Sequence, residues 1–349
     1  MEDTSRRTML VVIFGGRSAE HDVSCVTAAH VMKAIDRSRF DAVAIGIARD
    51  GTWHRSEVPV DAMRFEAHGS PVTPDALIEL ATMWPVVVVP LVHGPLGEDG
   101  TLQGLCEILD VPYVGSGVLA SAVAMDKGIA KSLFAAASLP QVRHAAHRED
   151  RLDDTTLDAI ATDLGFPLFV KPANMGSSVG VSKASDMAEL RDAVALAATY
   201  DEWIVFEEAV VGREIEVAVI GNRSPRASLP GEIVPGKEFY DYEDKYVTDG
   251  ATLRIPADLD AAHTSAVRDL AVRAYESIHC EGLARVDFFF EEHGRGFLLN
   301  EINTIPGFTP ISMYPKMWDA TGLAYPDLIS ELVDHAIERH RRRKRTVTR

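Results

Sequence analysis

Cysteine is scarce in this sequence. Cys25, Cys106 and Cys280 are odd in number, far apart and form no CxxC pair. They build no disulfide framework, and a reducing cytoplasm is the expected compartment. Long apolar runs are also missing: none approaches the roughly 18–20 residues that a membrane span needs. Arg6 and Arg7 precede only the short run Met9–Phe14, followed at once by two glycines and a charged stretch, which reads as a strand rather than a signal peptide. Positive charge is in deficit. Lysine and arginine total 35 against 52 aspartates and glutamates, a net charge of −17, which argues against a general nucleic-acid binder. Anions can still be bound where basic residues gather locally. Gly15–Gly16 is not a GxGxxG fingerprint, so a nicotinamide-dependent dehydrogenase is disfavoured.

What is present suits an ordinary globular protein, 46% apolar and 25% charged. At roughly 150 residues per domain, 349 residues suggest two or three. In the first 125 residues, apolar segments at 9–16, 41–48, 85–94 and 111–116 alternate with helical patterns such as 17–35. That alternation predicts a doubly wound parallel sheet covered on both faces. Gly15–Gly16 and His93–Gly94 lie at strand ends, where ligands of such sheets sit. From about residue 126 the pattern becomes α+β, with helices at 126–140, 155–165 and 187–200 and strands around "PLFVKPA", "GVSKA" and "EWIVFEEAV". A third, strand-rich unit opens after Gly212 and closes with the helix "AYPDLISELVDHAIERH". The expected division is 1–125, 126–212 and 213–349. The basic "RHRRRKR" at 339–345 reads as a solvated, frayed terminus.

Two segments carry chemistry. "GLARVDFFFEEHGRGFLLNEINTIPG" (282–307) places two apolar segments around a turn-like "EEHGRG". A hairpin symmetric about Gly294 sets Asp287 opposite Glu301 and Arg285 opposite Asn303. Residues i and i+2 share a strand face, so all four polar side chains project together. Buried salt bridges are one reading, but burying such charges is costly without strong partners. Two carboxylates and an amide are oxygen donors, suited to Mg²⁺, and Glu301 could bridge two ions. The second segment is "FVKPANMGSSVGVSKAS" (169–185). Its glycine-rich centre can lay backbone N–H groups over phosphates, with Lys171 and Lys127 adding charge, yet no Gly-Lys-Ser/Thr follows. Alone it could equally be an ordinary hairpin loop.

Seven segments in order, "GGRSAEHDVS", "HGPLGEDGTLQG", "MDK", "KPANMGSSVGVSK", "FYDYEDKY", "RVDF" and "NEINTIPGFTPISMYP", carry a resemblance across nearly the whole chain to the D-alanine–D-alanine ligases of the ATP-grasp superfamily. The resemblance implies an N-terminal doubly wound α/β domain followed by an α+β ATP-grasp fold of two subdomains. It also implies ATP-dependent joining of two D-alanines through a D-alanyl phosphate for peptidoglycan precursors, with two Mg²⁺ ions for which Mn²⁺ can substitute. D-alanine–D-lactate and D-alanine–D-serine ligation are the alternatives. A cytoplasmic homodimer is implied, with D-alanine and ATP as its small-molecule partners.

The implied roles fall residue by residue. Lys127 and Lys171 contact ATP phosphates. Glu207 and Glu214 sit by the adenine and ribose, with Glu208 and Ala209 in the segment that meets the base. Asp287, Glu301 and Asn303 hold the metal ions. Arg285 and the Gly307 N–H stabilise developing negative charge. Glu20 receives the ammonium of the first D-alanine, a position where helix N-terminal charge is also favourable, and His93 lies beside that substrate. Ser312 takes the carboxylate of the second, and Lys245 meets that carboxylate or phosphate. Residues 235–256 form a lid, on which Tyr246 bonds Ser177 as a latch and favours D-alanine as acceptor.

Overall fold

The computed structural model describes residues 7–56, 69–234 and 252–344. Three sheets organise it. The first begins with β1 (Thr8–Gly15), α1 (His21–Ala34), β2 (Phe40–Ile47), β3 (Trp53–Ser56), β4 (Ser70–Val72), α2 (Ala76–Met83) and β5 (Val86–Pro90), followed by α3 (Thr101–Ile108) and α4 (Val118–Met125). The strand order is β4-β3-β2-β1-β5. β1 pairs in parallel with β2 and β5, while β3 and β4 are added by antiparallel pairing. The continuous apolar run of β1 has a plain cause. Leu10, Val12 and Phe14 pack with α1 on one face, while Val11 and Ile13 pack with α2 and α3 on the other. The expected fourth strand at 111–116 is only a single bridge, Val88 to Tyr113. β3 and β4, short and half-polar, were not anticipated.

The middle unit runs α5 (Lys127–Ala136), β6 (His144–Arg148), α6 (Asp154–Leu164), β7 (Leu168–Pro172), β8 (Ser182–Ala184), α7 (Met187–Ala197) and β9 (Trp203–Glu208). Its antiparallel sheet has the order β6-β9-β7-β8. Aspartates fix three of the helix starts by accepting from backbone N–H groups: Asp126 from Ile129, Asp153 from Thr156, and Asp186 from Ala188 and Glu189. The first of these caps sets Lys127 at the head of α5.

The last unit contains β10 (Arg213–Gly221), β11 (Arg226–Ala227), β12 (Gly231–Val234), β13 (Thr252–Arg254), α8 (Ala261–Ser277), β14 (Gly282–Glu291), β15 (Gly296–Asn303), α9 (Met313–Ala320) and α10 (Tyr325–Arg343). Its sheet has the order β13-β12-β10-β14-β15, with β11 on β10. Ile215, Val217, Phe288 and Phe290 pack against α8 on one face. Ala218, Ile220 and Leu283 join α9, α10 and α1 on the other.

The C-terminal basic stretch corrects the expectation of a frayed tail. Arg339 is 3% exposed, lies over the Tyr113 ring, and donates to the carbonyls of Tyr113 and Gly115. Arg342 and Arg343 pair with Glu281. Helix α10 therefore clamps the last unit to the first, and residues 345–349 lie outside the described residues.

The same junction needs glycine. Gly282 has φ +75°, and a Cβ there would stand 3.0 Å from the Cα of Gly115. Gly282→Ala is expected to cost about 2 kcal/mol or more, read as a lowered thermal midpoint. An unchanged midpoint would contradict this account of the junction.

Candidate active site

The β14–β15 hairpin has the predicted register where it matters. Arg285 lies opposite Asn303 and Asp287 opposite Glu301. Beyond Asp287 the register shifts, so that Phe288 faces Leu299 and Glu291 faces Gly296. The turn is therefore not centred on Gly294, and Asn300 is the extra residue of a β-bulge. The bulge has a consequence for both faces. Leu299 and Phe297 turn into the core beside α8, while Glu301 and Asn303 remain on the face of Arg285 and Asp287.

That face is strongly polar. Arg285 forks onto Asp287 with Nε–Oδ1 and Nη2–Oδ2 both 2.7 Å. Asn303 Nδ2 donates to Asp287 Oδ2 at 2.9 Å. Glu216 of β10 sits opposite Asp287 in the sheet, and its Oε2 lies 3.1 Å from Arg285 Nε. Glu214, two residues earlier on β10, shares the face of Glu216. Burial works against the charge on Arg285, but Asp287, Glu216 and Glu301 outweigh it and keep the guanidinium firmly protonated.

The carboxylates and the Asn303 amide fit Mg²⁺ by donor chemistry, all being hard oxygens. Among the described residues, no three acidic, histidine or cysteine side chains form a cage sufficient by itself. Such a partial set suits an ion that completes its shell with water and phosphate oxygens.

Behind the hairpin lies a buried trio. Glu207 at the end of β9 is 2% exposed. Its Oε2 is 2.5 Å from Lys171 Nζ of β7 and its Oε1 2.9 Å from Lys131 Nζ of α5. Burial alone would raise the Glu207 pKa; the two lysines overturn this and hold the carboxyl well below the usual range. Lys171 feels Glu207 behind it and Glu301 and Glu214 in front, so it is the member of the trio that faces the hairpin. Lys127 Nζ donates to the Met175 carbonyl at 2.6 Å, bracing the glycine-rich loop.

The neighbouring nucleoside candidates behave differently. The Glu208 carboxylate accepts from the Arg143 backbone and side chain and from Arg295, which also grips Glu291. Its side chain is thus committed to a surface network. The Ala209 N–H donates to Pro167 at 3.2 Å.

The first unit meets this cleft at Glu20, the N-cap position of α1. Ser177 Oγ donates to Glu20 Oε1, so the loop is tied to the first unit. Gly94 and Gly176 leave room for the same carboxylate: a Cβ on either would stand 2.8 or 3.1 Å from Glu20 Oε2. His93 is 3% exposed, with Nδ1 3.1 Å from the Ile305 carbonyl and 3.4 Å from Glu98 Oε1. Burial depresses its pKa, but Glu98 and Glu20 more than offset that and leave it raised. Ser312, at the start of α9, accepts from the Thr309 N–H at 3.1 Å, and its Oγ is 3.2 Å from where a Cβ on Gly307 would sit.

The structure thus gathers Glu20, His93, Lys127, Lys171, Ser177, Glu207, Arg285, Asp287, Glu301 and Asn303 around one junction of the three sheets. Lys245 and Tyr246 lie outside the described residues. Sequence reasoning missed Lys131, Glu216 and Glu98. Two had a signal: Lys131 is four residues after Lys127 on one helix face, and Glu216 is two after Glu214 on one strand face.

Two family models match, "D-ala D-ala ligase N-terminus" over residues 9–116 and "D-ala D-ala ligase C-terminus" over 133–334. Curated relatives include the D-alanine–D-alanine ligases of Bacillus pumilus, 46% identical over 96% of this chain and 97% of that protein, and of Heliobacterium modesticaldum, 47% identical over 97% of each. Among solved structures, the D-alanine–D-alanine ligase of Coxiella burnetii superposes with a TM-score of 0.83 at 35% identity, covering 97% of this chain and 96% of that one. A D-Ala:D-Ser ligase from Enterococcus faecalis superposes at 0.81 with 30% identity, covering 95% and 100%.

The trio makes a pH prediction. Glu207→Gln leaves two buried lysines without a counter-charge, and the expected loss of stability is about 3 kcal/mol near neutral pH. The folded pKa of Glu207 lies below its unfolded value, so its contribution is complete above the ordinary carboxylate pKa of about 4.3 and fades as pH falls through and below it. Denaturation of both proteins across pH 3–7 should show the gap closing only on the acid side. A constant gap would contradict the ion-pair account.

Proposed function

Because the chain belongs to the D-alanine–D-alanine ligase family, we propose that it joins two D-alanines, with ATP converted to ADP and phosphate, to make D-alanyl-D-alanine for peptidoglycan. One observation carries the reading: the register that sets Arg285, Asp287, Glu301 and Asn303 on one face, in front of Lys171.

A carboxylate is a poor electrophile, because its leaving group would be oxide. A carboxylate oxygen of the first D-alanine attacks the γ-phosphorus of ATP and ADP leaves, giving an acyl phosphate. The amine of the second D-alanine then attacks the acyl carbon. The tetrahedral intermediate collapses with loss of phosphate, and the amine gives up its proton. Lys127 and Lys171 hold the phosphates, supported by N–H groups of the 176–180 loop. Glu207, Glu208, Ala209 and Glu214 line the nucleoside end, Glu207 from behind Lys171 and Glu208 through its backbone. Glu20 takes the ammonium of the first D-alanine, and His93 packs beside it. Arg285 and the Gly307 N–H face the oxygen where negative charge develops. Ser312 and Lys245 take the second substrate's carboxylate. Tyr246 latches the 235–256 lid to Ser177, which excludes water from the acyl phosphate. Asp287, Glu301 and Asn303 would hold two Mg²⁺ ions, or Mn²⁺, which neutralise charge between the β- and γ-phosphates when bound.

We place the boundaries of the three units at 1–125, 126–212 and 213–349. Among the described residues no helix is long and apolar enough to cross a membrane. The ATP the reaction consumes favours a cytoplasmic enzyme. A homodimer paired through the first unit is supported by apolar side chains left exposed there, Ile78, Met83, Ile108 and Leu119, at 45–83%.

Incubation with ATP, Mg²⁺ and D-alanine should release ADP and yield the dipeptide by mass spectrometry. D-serine and D-lactate should be poorer acceptors. Asp287→Asn should lower kcat at least about 100-fold. ADP release indifferent to D-alanine, or D-lactate as the preferred acceptor, would overturn the assignment.

A further inference from the structure

Lys131 has no place in the roles above, yet it is among the most deeply buried charged side chains of the molecule, 1% exposed. A lysine is placed there at a cost unless its charge is used. It touches no open surface: its Nζ lies 2.9 Å from Glu207 Oε1 and 3.4 Å from the Asn300 carbonyl, at the bulge of β15. The other oxygen of the same carboxylate holds Lys171 at 2.5 Å. Two lysines therefore share one carboxylate, and the trio carries one net positive charge. His144 also faces Lys131, and burial and that lysine push its pKa down, away from the charged form.

The surplus charge has a direction. The Lys171 side chain is 14% exposed, against 3% for Glu207 and 1% for Lys131. Lys171 is also the member that feels Glu301 and Glu214 on the hairpin face. Without Lys131, Glu207 and Lys171 would form a neutral pair, and Lys171 would have little charge left to offer an anion.

We propose that Lys131 is a positioning residue that satisfies Glu207 from behind and so leaves the charge of Lys171 available to nucleotide phosphates. The inference rests on the nucleotide reading of Lys171 given above. It differs from a purely structural role, because what it sets is the site's preference for a phosphate-bearing ligand, not its shape.

The test is calorimetric binding of ADP and of adenosine, in magnesium buffer, to the full-length protein and two variants. The readout is the ratio of the two affinities, which cancels effects on the base and ribose. Lys131→Met makes the trio neutral and should lower the ADP:adenosine ratio at least about tenfold. Glu207→Gln breaks the same contacts but leaves two positive charges, and should raise the ratio. A merely structural role would move the ratio in the same direction in both variants, or in neither, and either result overturns the proposal. If Lys131→Met does not fold, the Glu207→Gln ratio decides alone, and a value at or below wild type is the contrary result. Failure of the unmodified protein to bind ADP more tightly than adenosine would instead overturn the nucleotide reading itself.

Discussion

One constraint underlies the site: the pairing of β14 with β15 must place Asp287 directly opposite Glu301, and then must change register. A one-residue slip in a strand pair turns every side chain to the other face. Asn300 absorbs that slip within the hairpin. On one side of it, Phe288, Phe290, Phe297 and Leu299 close the core against α8. On the other, Arg285, Asp287, Glu301 and Asn303 share the face that meets Lys171. A regular ladder would have had to surrender either a core leucine or a carboxylate. The bulge gives both, and its carbonyl also receives the buried lysine of α5.

Charge explains why the surrounding elements converge as they do. The chain as a whole is strongly acidic, and its hairpin face is too, with Glu214, Glu216, Asp287 and Glu301 clustered on three strands. Such a face is tolerable only if cations are built in or recruited. Arg285 is one built-in cation, held between Asp287 and Glu216. Lys171 is another, held from behind by Glu207. Divalent ions and an anionic nucleotide complete the balance: the ions answer the carboxylates, and the lysines answer the phosphates. The first unit contributes its own anion, Glu20, bonded to the glycine-rich loop by Ser177. The three sheets therefore meet at one place where charges of opposite sign alternate.

Much of this was legible from residue patterns, for physical reasons. The Asp287–Glu301 pairing followed from a turn between two strands, with Arg285 and Asp287 flanking Val286 on one and Glu301 and Asn303 flanking Ile302 on the other. The continuous apolar run of β1 announced a strand covered on both faces. What escaped the pattern was context. Tyr113 and Val114 look like a strand but bridge β5 through a single pair, while the half-polar β3 and β4 extend the sheet with only Trp53 and Val72 packed on the core. The Asn300 bulge left no local mark. Helix periodicity cannot say that the partner of Lys131 lies on β9. Arg339 looked like part of a solvated basic run because its partners, the Tyr113 ring and two carbonyls, are more than two hundred residues away. Local alternation reveals which face is special; long-range packing decides which charges are buried.

The most direct measurement is a crystal structure of the protein with Mg²⁺ and a non-hydrolysable ATP analogue. The account predicts cations within about 2.0–2.2 Å of oxygens from Asp287, Glu301 and Asn303 and of the terminal phosphates, with Lys171 on the same phosphates. Cations bound away from that face, or an Arg285–Asp287 fork that persists while the phosphates lie elsewhere, would contradict it.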